Sequence, residues 1–205
     1  MESVHKNKLN SIEKNGIIIV VSGLPRCGTS MMMQMLAEGG MQIVTDSIRK
    51  ADEDNPRGYF EFEKVKEIKE DTKWLDDCIG KAFKMVSALL YYLPINRKYR
   101  VIFMKRKMEE MLASQNVMLQ RKGEKTDSVT DKAMIVKLEE HLHDIEAWLA
   151  KQRNIDVIYI SYNNVIQNPL PNSERVNQFL GNQLDVDKMA GVIEKSLYRQ
   201  QKKDV

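Results

Sequence analysis

The stretch VSGLPRCGTS, Val21–Ser30, brings two glycines, a cation and paired hydroxyls together directly after the apolar run Ile17–Val20. Residues of these types at a strand-to-helix junction suit anion binding. Backbone N–H groups can turn inward, Gly28 allows close approach, and a helix starting near Thr29 adds the partial positive charge of its N-terminus. Gly23, Gly28 and Ser30 match the phosphate-binding pattern G-x-x-x-x-G-K-[ST], but Thr29 stands where the lysine belongs. A cation arrives three residues earlier instead, as Arg26. In triphosphate chemistry the missing lysine reaches the β- and γ-phosphates, and an acidic residue after an apolar strand helps hold magnesium. The apolar runs VIYISYNN and VIFMKRK end in amides and cations rather than aspartate. The predicted site is cation-rich and metal-poor, and its anion is not an ordinary triphosphate tail.

Other chemistry-bearing residues are spaced along the chain. GKAFKMV carries Lys84 inside an apolar run, and MKRK at 104–107 is followed by Ser114, eight residues after Arg106. A guanidinium at a strand end and a hydroxyl one or two helical turns on can surround one phosphate. The segment TDSIRKADEDNPRGYFEFE supplies the acids Asp46, Asp52, Glu61 and Glu63. The histidines His5, His141 and His143 lie in the N-terminal tail and a long helical pattern and read as surface residues. Cys27 reads as a small spacer whose thiol the loop's positive field could acidify.

These residues need a scaffold. Five apolar runs read as strands: Ile17–Ser22, Met41–Val44, Ala82–Val86, Val101–Met104 and Asp156–Ile160. Most are continuous rather than alternating, as in strands covered on both faces. Helical patterns lie between them at Thr29–Glu38, Lys64–Cys78, Lys107–Arg121, Asp131–Arg153, Asn172–Leu180 and Val186–Ser196. Strands alternating with helices predict an α/β fold of three layers, α/β/α, around a mostly parallel sheet of about five strands. Ligands in such sheets bind beyond the carboxyl ends of the strands, where all the residues above fall. The domain is expected over residues 16–200, with polar tails at 1–15 and 201–205.

The chain of 205 residues has 42% hydrophobic content and a net charge of only +3, which argues against general nucleic-acid binding. No apolar run is long enough to span a bilayer. The polar start MESVHKNKLNSIEKNG is unlike a signal peptide, and two cysteines outside a C-x-x-C pair suit a reducing compartment; a cytoplasmic location is expected.

GLPRCGTS resembles the 5′-phosphosulfate loop of sulfotransferases that use 3′-phosphoadenosine 5′-phosphosulfate (PAPS), in which a cation sits two residues before the glycine. Arg106 and Ser114 resemble the pair that grips the ribose 3′-phosphate, although Arg106-Lys107-Met108 replaces the usual turn. Lys84 followed by YLP at 92–94, and VIYISYNNVIQNP followed by ERVNQFLG, resemble further family segments. The resemblance implies a P-loop NTPase-like fold, PAPS as co-substrate, 3′,5′-bisphosphoadenosine (PAP) as product, and no metal. It implies nucleotide contacts at Arg26, Cys27, Gly28, Thr29, Ser30, Arg106, Ser114, Tyr162 and Arg199, with Arg26 and Arg106–Ser114 at opposite ends of the nucleotide. Arg26 and Lys84 would stabilise the transferring group. Val86 stands where many relatives carry a histidine base, so a carboxylate is implied. Asp46, twenty residues after Arg26, aligns best; Asp52, Glu61 and Glu63 are alternatives. Asp46–Glu63 and Gly123–Thr130 are expected to shape the pocket of a small-molecule, glycan or lipid acceptor. A kinase or NTPase with an altered loop, and a non-catalytic PAP-binding member, remain the competing readings.

Overall fold

The computed structural model describes residues 12–13, 15–46, 48–52, 55, 57–121, 123 and 131–194. Strand β1 (Ile17–Gly23) is central and pairs in parallel with β2 (Ala82–Val86) on one side and β3 (Lys98–Lys105) on the other; β4 (Ile155–Ser161) extends the sheet in the order β2-β1-β3-β4. Ile18, Ile19, Val20 and Val21 are all fully buried, which explains the unbroken apolar run. Successive side chains enter opposite faces. Each such residue contributes about 1.5–3 kcal/mol of burial.

On one face, Ile19, Val21, Ile102 and Met104 pack with helix α1 (Thr29–Glu38) and with the C-terminal helices α4 (Tyr162–Gln167), α5 (Pro169–Phe179) and α6 (Val186–Gly191). On the other, Ile18, Val20, Val101 and Phe103 pack with Trp74, Leu75, Leu90 and with Ile145 and Leu149 of α3 (Asp131–Leu149). Helix α2 (Met108–Arg121) joins α3 through a smaller cluster around Met111 and Leu112. The three layers are therefore α/β/α, as the alternating pattern predicts.

The sheet has four strands rather than five. Met41–Val44 makes only one parallel bridge, Ile43 to Ala82, flanked by bonds from Val44 N to Ala82 O and from Ala82 N to Gln42 O. The chain then leaves β2, because Asp46 N and the Thr45 hydroxyl both donate to the Glu61 carbonyl. The expected helix Lys64–Cys78 is instead two short 3-10 segments, Glu63–Glu67 and Lys73–Cys78. Trp74 anchors the second, edge-on to Phe62 and Phe83. Gly123 is described, whereas the rest of the expected pocket segment, 124–130, lies outside the described residues.

Candidate active site

Beyond the carboxyl ends of β1, β2 and β3 lies a cleft of about 390 Å³. That falls in the range of small-molecule sites. Its floor is the loop 23–30. Gly28 caps α1 with φ 96°, no side chain caps that end, and Thr29, Ser30 and Met31 of its first turn line the cleft. Only glycine fits: a Cβ on Gly28 would sit 2.4 Å from Tyr162 Cδ2. Gly28→Ala should therefore destabilise the fold by about 3 kcal/mol, read as a lower urea midpoint at unchanged slope. Arg26 holds a left-handed φ of 66°, a conformation costing a non-glycine residue about 1–3 kcal/mol.

The two expected phosphate grips meet. Arg26 Nε donates to Ser114 Oγ at 3.1 Å, and an Arg106 terminal nitrogen donates to the Arg26 carbonyl at 3.1 Å. The loop after β1 and the turn after β3 thus form one cationic wall. Arg106 rests with its guanidinium 4.4 Å above the Tyr162 ring. Beneath it lies the buried Glu110, 3.5 Å from Arg106 Nε and accepting from Asn163 Nδ2 at 2.9 Å. Asn163 donates to that carboxylate, which an acid at the same position would repel.

Cys27 is placed differently. Its thiol is buried in the core, its N–H donates to the Leu24 carbonyl, and burial pushes its pKa up to about 12. The expected acidification does not occur, and the side chain does not line the cleft. Thr29 and Ser30 do line it. The Ser30 hydroxyl donates to the Tyr59 carbonyl at 3.2 Å rather than being held in reserve for a ligand, while the Thr29 hydroxyl has no partner among the described residues.

Lys84 points from β2 toward the α1 side, on the same strand face as Ala82 and Val86. Its Nζ donates to Ser30 Oγ at 3.3 Å and to the Tyr59 carbonyl, and it pairs with Glu61 at 3.5 Å. Burial lowers the Lys84 pKa, and the Glu61 charge opposes part of that shift. Glu61 also pairs with Arg49 at 3.1 Å. Phe60, between Tyr59 and Glu61, has a φ of 52°, so strained backbone presents both neighbours to the cleft.

Asp46 does not bring its carboxylate into this cluster, although its backbone N–H donates to the Glu61 carbonyl. Its carboxylate accepts from the N–H groups of Glu63 at 2.6 Å and Ile48 at 3.0 Å, and those bonds lower its pKa. It organises the turn and does not line the cleft. Asp52 holds the Tyr59 hydroxyl at 2.7 Å, and Glu63 pairs with Lys66. Glu61 is the acid that the structure brings beside Lys84.

Arg49, Tyr59 and Arg57 line the cleft without having been singled out from sequence. Arg57 donates to the Val192 carbonyl at 2.9 Å and pairs with Glu194, tying the segment after residue 46 to the C-terminal one. His141 is not a surface residue: it is half-buried, with Nε2 2.8 Å from the buried Ser87 hydroxyl, because α3 packs on the turn after β2. His143 is exposed; His5, Tyr198 and Arg199 lie outside the described residues.

A family model described as a sulfotransferase domain matches residues 17–204. A comparison with curated proteins finds no match.

Proposed function

The chain belongs to the sulfotransferase domain family and is an enzyme of sulfuryl transfer, and from that premise we propose that its donor is PAPS, that transfer is in line without a metal, and that Glu61 is the base. The observation that carries this reading is the Lys84 ammonium. It bonds at once to Ser30 of the anion loop, to the Tyr59 carbonyl and to Glu61. One cation thereby stands between the loop proposed to hold the donor and a carboxylate able to take the acceptor's proton.

The residues present fit the donor. The uncapped N–H groups of α1, Thr29 and Arg26 would hold the 5′ end, and Arg106, Ser114 and Tyr162 the 3′-phosphate and ribose. Ser114 can serve both ends, since its oxygen accepts from Arg26 while its own proton remains for a phosphate. When bound, PAPS supplies the sulfuryl group, whose bond to the 5′-phosphate oxygen breaks as the acceptor oxygen attacks sulfur. Glu61 takes the acceptor's hydroxyl proton. Lys84, Arg26 and the loop N–H groups stabilise the charge left on the phosphate oxygen. These fixed cations supply the field that magnesium supplies in triphosphate hydrolysis. Arg199 belongs to the same proposal as a closing contact on the 3′-phosphate. A small-molecule acceptor and a cytoplasmic location are part of it too, the latter supported by two buried free thiols, Cys27 and Cys78.

The test is a titration with PAP in the presence of a chelator. At a hundredfold excess over Kd, PAP should raise the melting temperature by about 5–10 °C, whereas ATP with magnesium should leave it unchanged. The reverse result would favour an NTPase. Arg106→Ala should weaken PAP about tenfold and also destabilise the protein, because Glu110 is left buried without its cation. Arg106→Ala/Glu110→Gln should recover stability but not affinity, which separates binding from folding.

A further inference from the structure

We propose that the acceptor is an apolar hydroxy compound bearing its own anionic group, and that Arg49 is the residue that holds that group; this rests on the reading of Glu61 as the base. A chain of contacts leads from the Ser30 hydroxyl of the anion loop to Lys84, from Lys84 to Glu61, and from Glu61 to Arg49. Arg49 and Lys84 share one oxygen of Glu61, so Arg49 stands directly beside the proposed base, where the acceptor must present its hydroxyl. Its guanidinium carbon lies 3.3 Å from the centre of the Tyr59 ring, a stacked position. That ring is itself fixed, being 5% exposed, with its hydroxyl bonded to the Asp52 carboxylate.

A guanidinium has five N–H donors in a rigid fork. One terminal nitrogen of Arg49 is occupied by Glu61 at 3.1 Å, and the other terminal nitrogen and Nε have no partner among the described residues. The side chain is 34% exposed and lines the cleft. The result is a pre-set cation beside the base, with an unused edge shaped for a carboxylate or sulfate. The acceptor's body has an apolar counterpart in Val86, which is 44% exposed and two residues beyond Lys84 on the same strand face. Val117 and Met118 of α2 line the same cleft.

Matched acceptors test this: 4-hydroxybenzoate against 4-hydroxybenzamide, and 4-hydroxyphenylacetate against its amide. Each is measured by calorimetric binding with and without PAP, and by kcat/KM with PAPS. The acids should be preferred about tenfold or more. Arg49→Gln should bring the acid-to-amide ratio close to one. Loss of Glu61 orientation in that variant would fall on acid and amide alike, so the ratio isolates the charge contact. Arg49→Lys should restore part of the preference. A ratio near one in the unaltered protein, a ratio unchanged in Arg49→Gln, or no measurable binding of either acid would each overturn the proposal. Absence of PAP binding would instead overturn the donor reading, while acid binding without PAP would still score Arg49.

Discussion

Glu61→Gln is expected to lower kcat by about 10²–10⁴-fold, the range for removing a positioned general base, with PAP affinity nearly unchanged. Glutamine keeps the size and one carbonyl oxygen for Lys84 and Arg49, so the turn from Tyr59 to Phe62 should survive. What is lost is a site for the acceptor's proton. Asp46→Asn is the informative control. Its carboxylate holds the N–H groups of Ile48 and Glu63 and does not line the cleft. It should cost kcat less than about tenfold, through loosening of the turn rather than loss of a proton acceptor. Single-turnover rates with PAPS in excess measure both. Equal losses in the two variants would remove Glu61 from the role.

Lys84→Met should lower kcat by about 10²–10³-fold, as for removal of one donor to developing charge. Methionine fills the same space on β2, so the strand should persist. The effect should concentrate in kcat, because Lys84 acts most strongly when charge collects on the departing oxygen. A pH profile adds a second signature. Burial lowers the Lys84 pKa below its ordinary 10.5. As pH rises through that lowered value the ammonium loses its proton, so kcat/KM should fall on the alkaline side earlier than an exposed lysine would allow. Lys84→Arg should move that limb out of the measurable range, at reduced rate. A limb unmoved in Lys84→Arg would assign it to another group.

The sequence displays this fold unevenly, and the reasons are physical. β1 is legible because burial on both faces demands unbroken apolar residues. Gly23 and Gly28 are legible because close packing against Met104 and Tyr162 excludes side chains. Met41–Val44 looks like a strand by the same apolar rule, yet pairing with β2 stops after one bridge when Thr45 and Asp46 turn to Glu61. The acid proposed as base, Glu61, was blurred for a related cause. Residues 45–62 have no regular element among those described, so no period of two or 3.6 says which acids face inward. Arg49 and Tyr59 were hidden likewise. His141 was misjudged because its partner, Ser87, comes from a distant segment.

The attachment of residues 45–62 has an evolutionary corollary. The bridge at Ile43, the turn at Asp46 and the contacts of Tyr59 and Glu61 with Lys84 and Ser30 fasten this stretch, whereas the proposed nucleotide wall is built from the loop after β1, the turn after β3 and Ser114 of α2. Outside Tyr59 and Glu61, mutational drift in the first can proceed with little effect on the second. Descendants of such an ancestor could therefore exchange one clientele for another by rewriting a single surface excursion, while inheriting the same currency of sulfation.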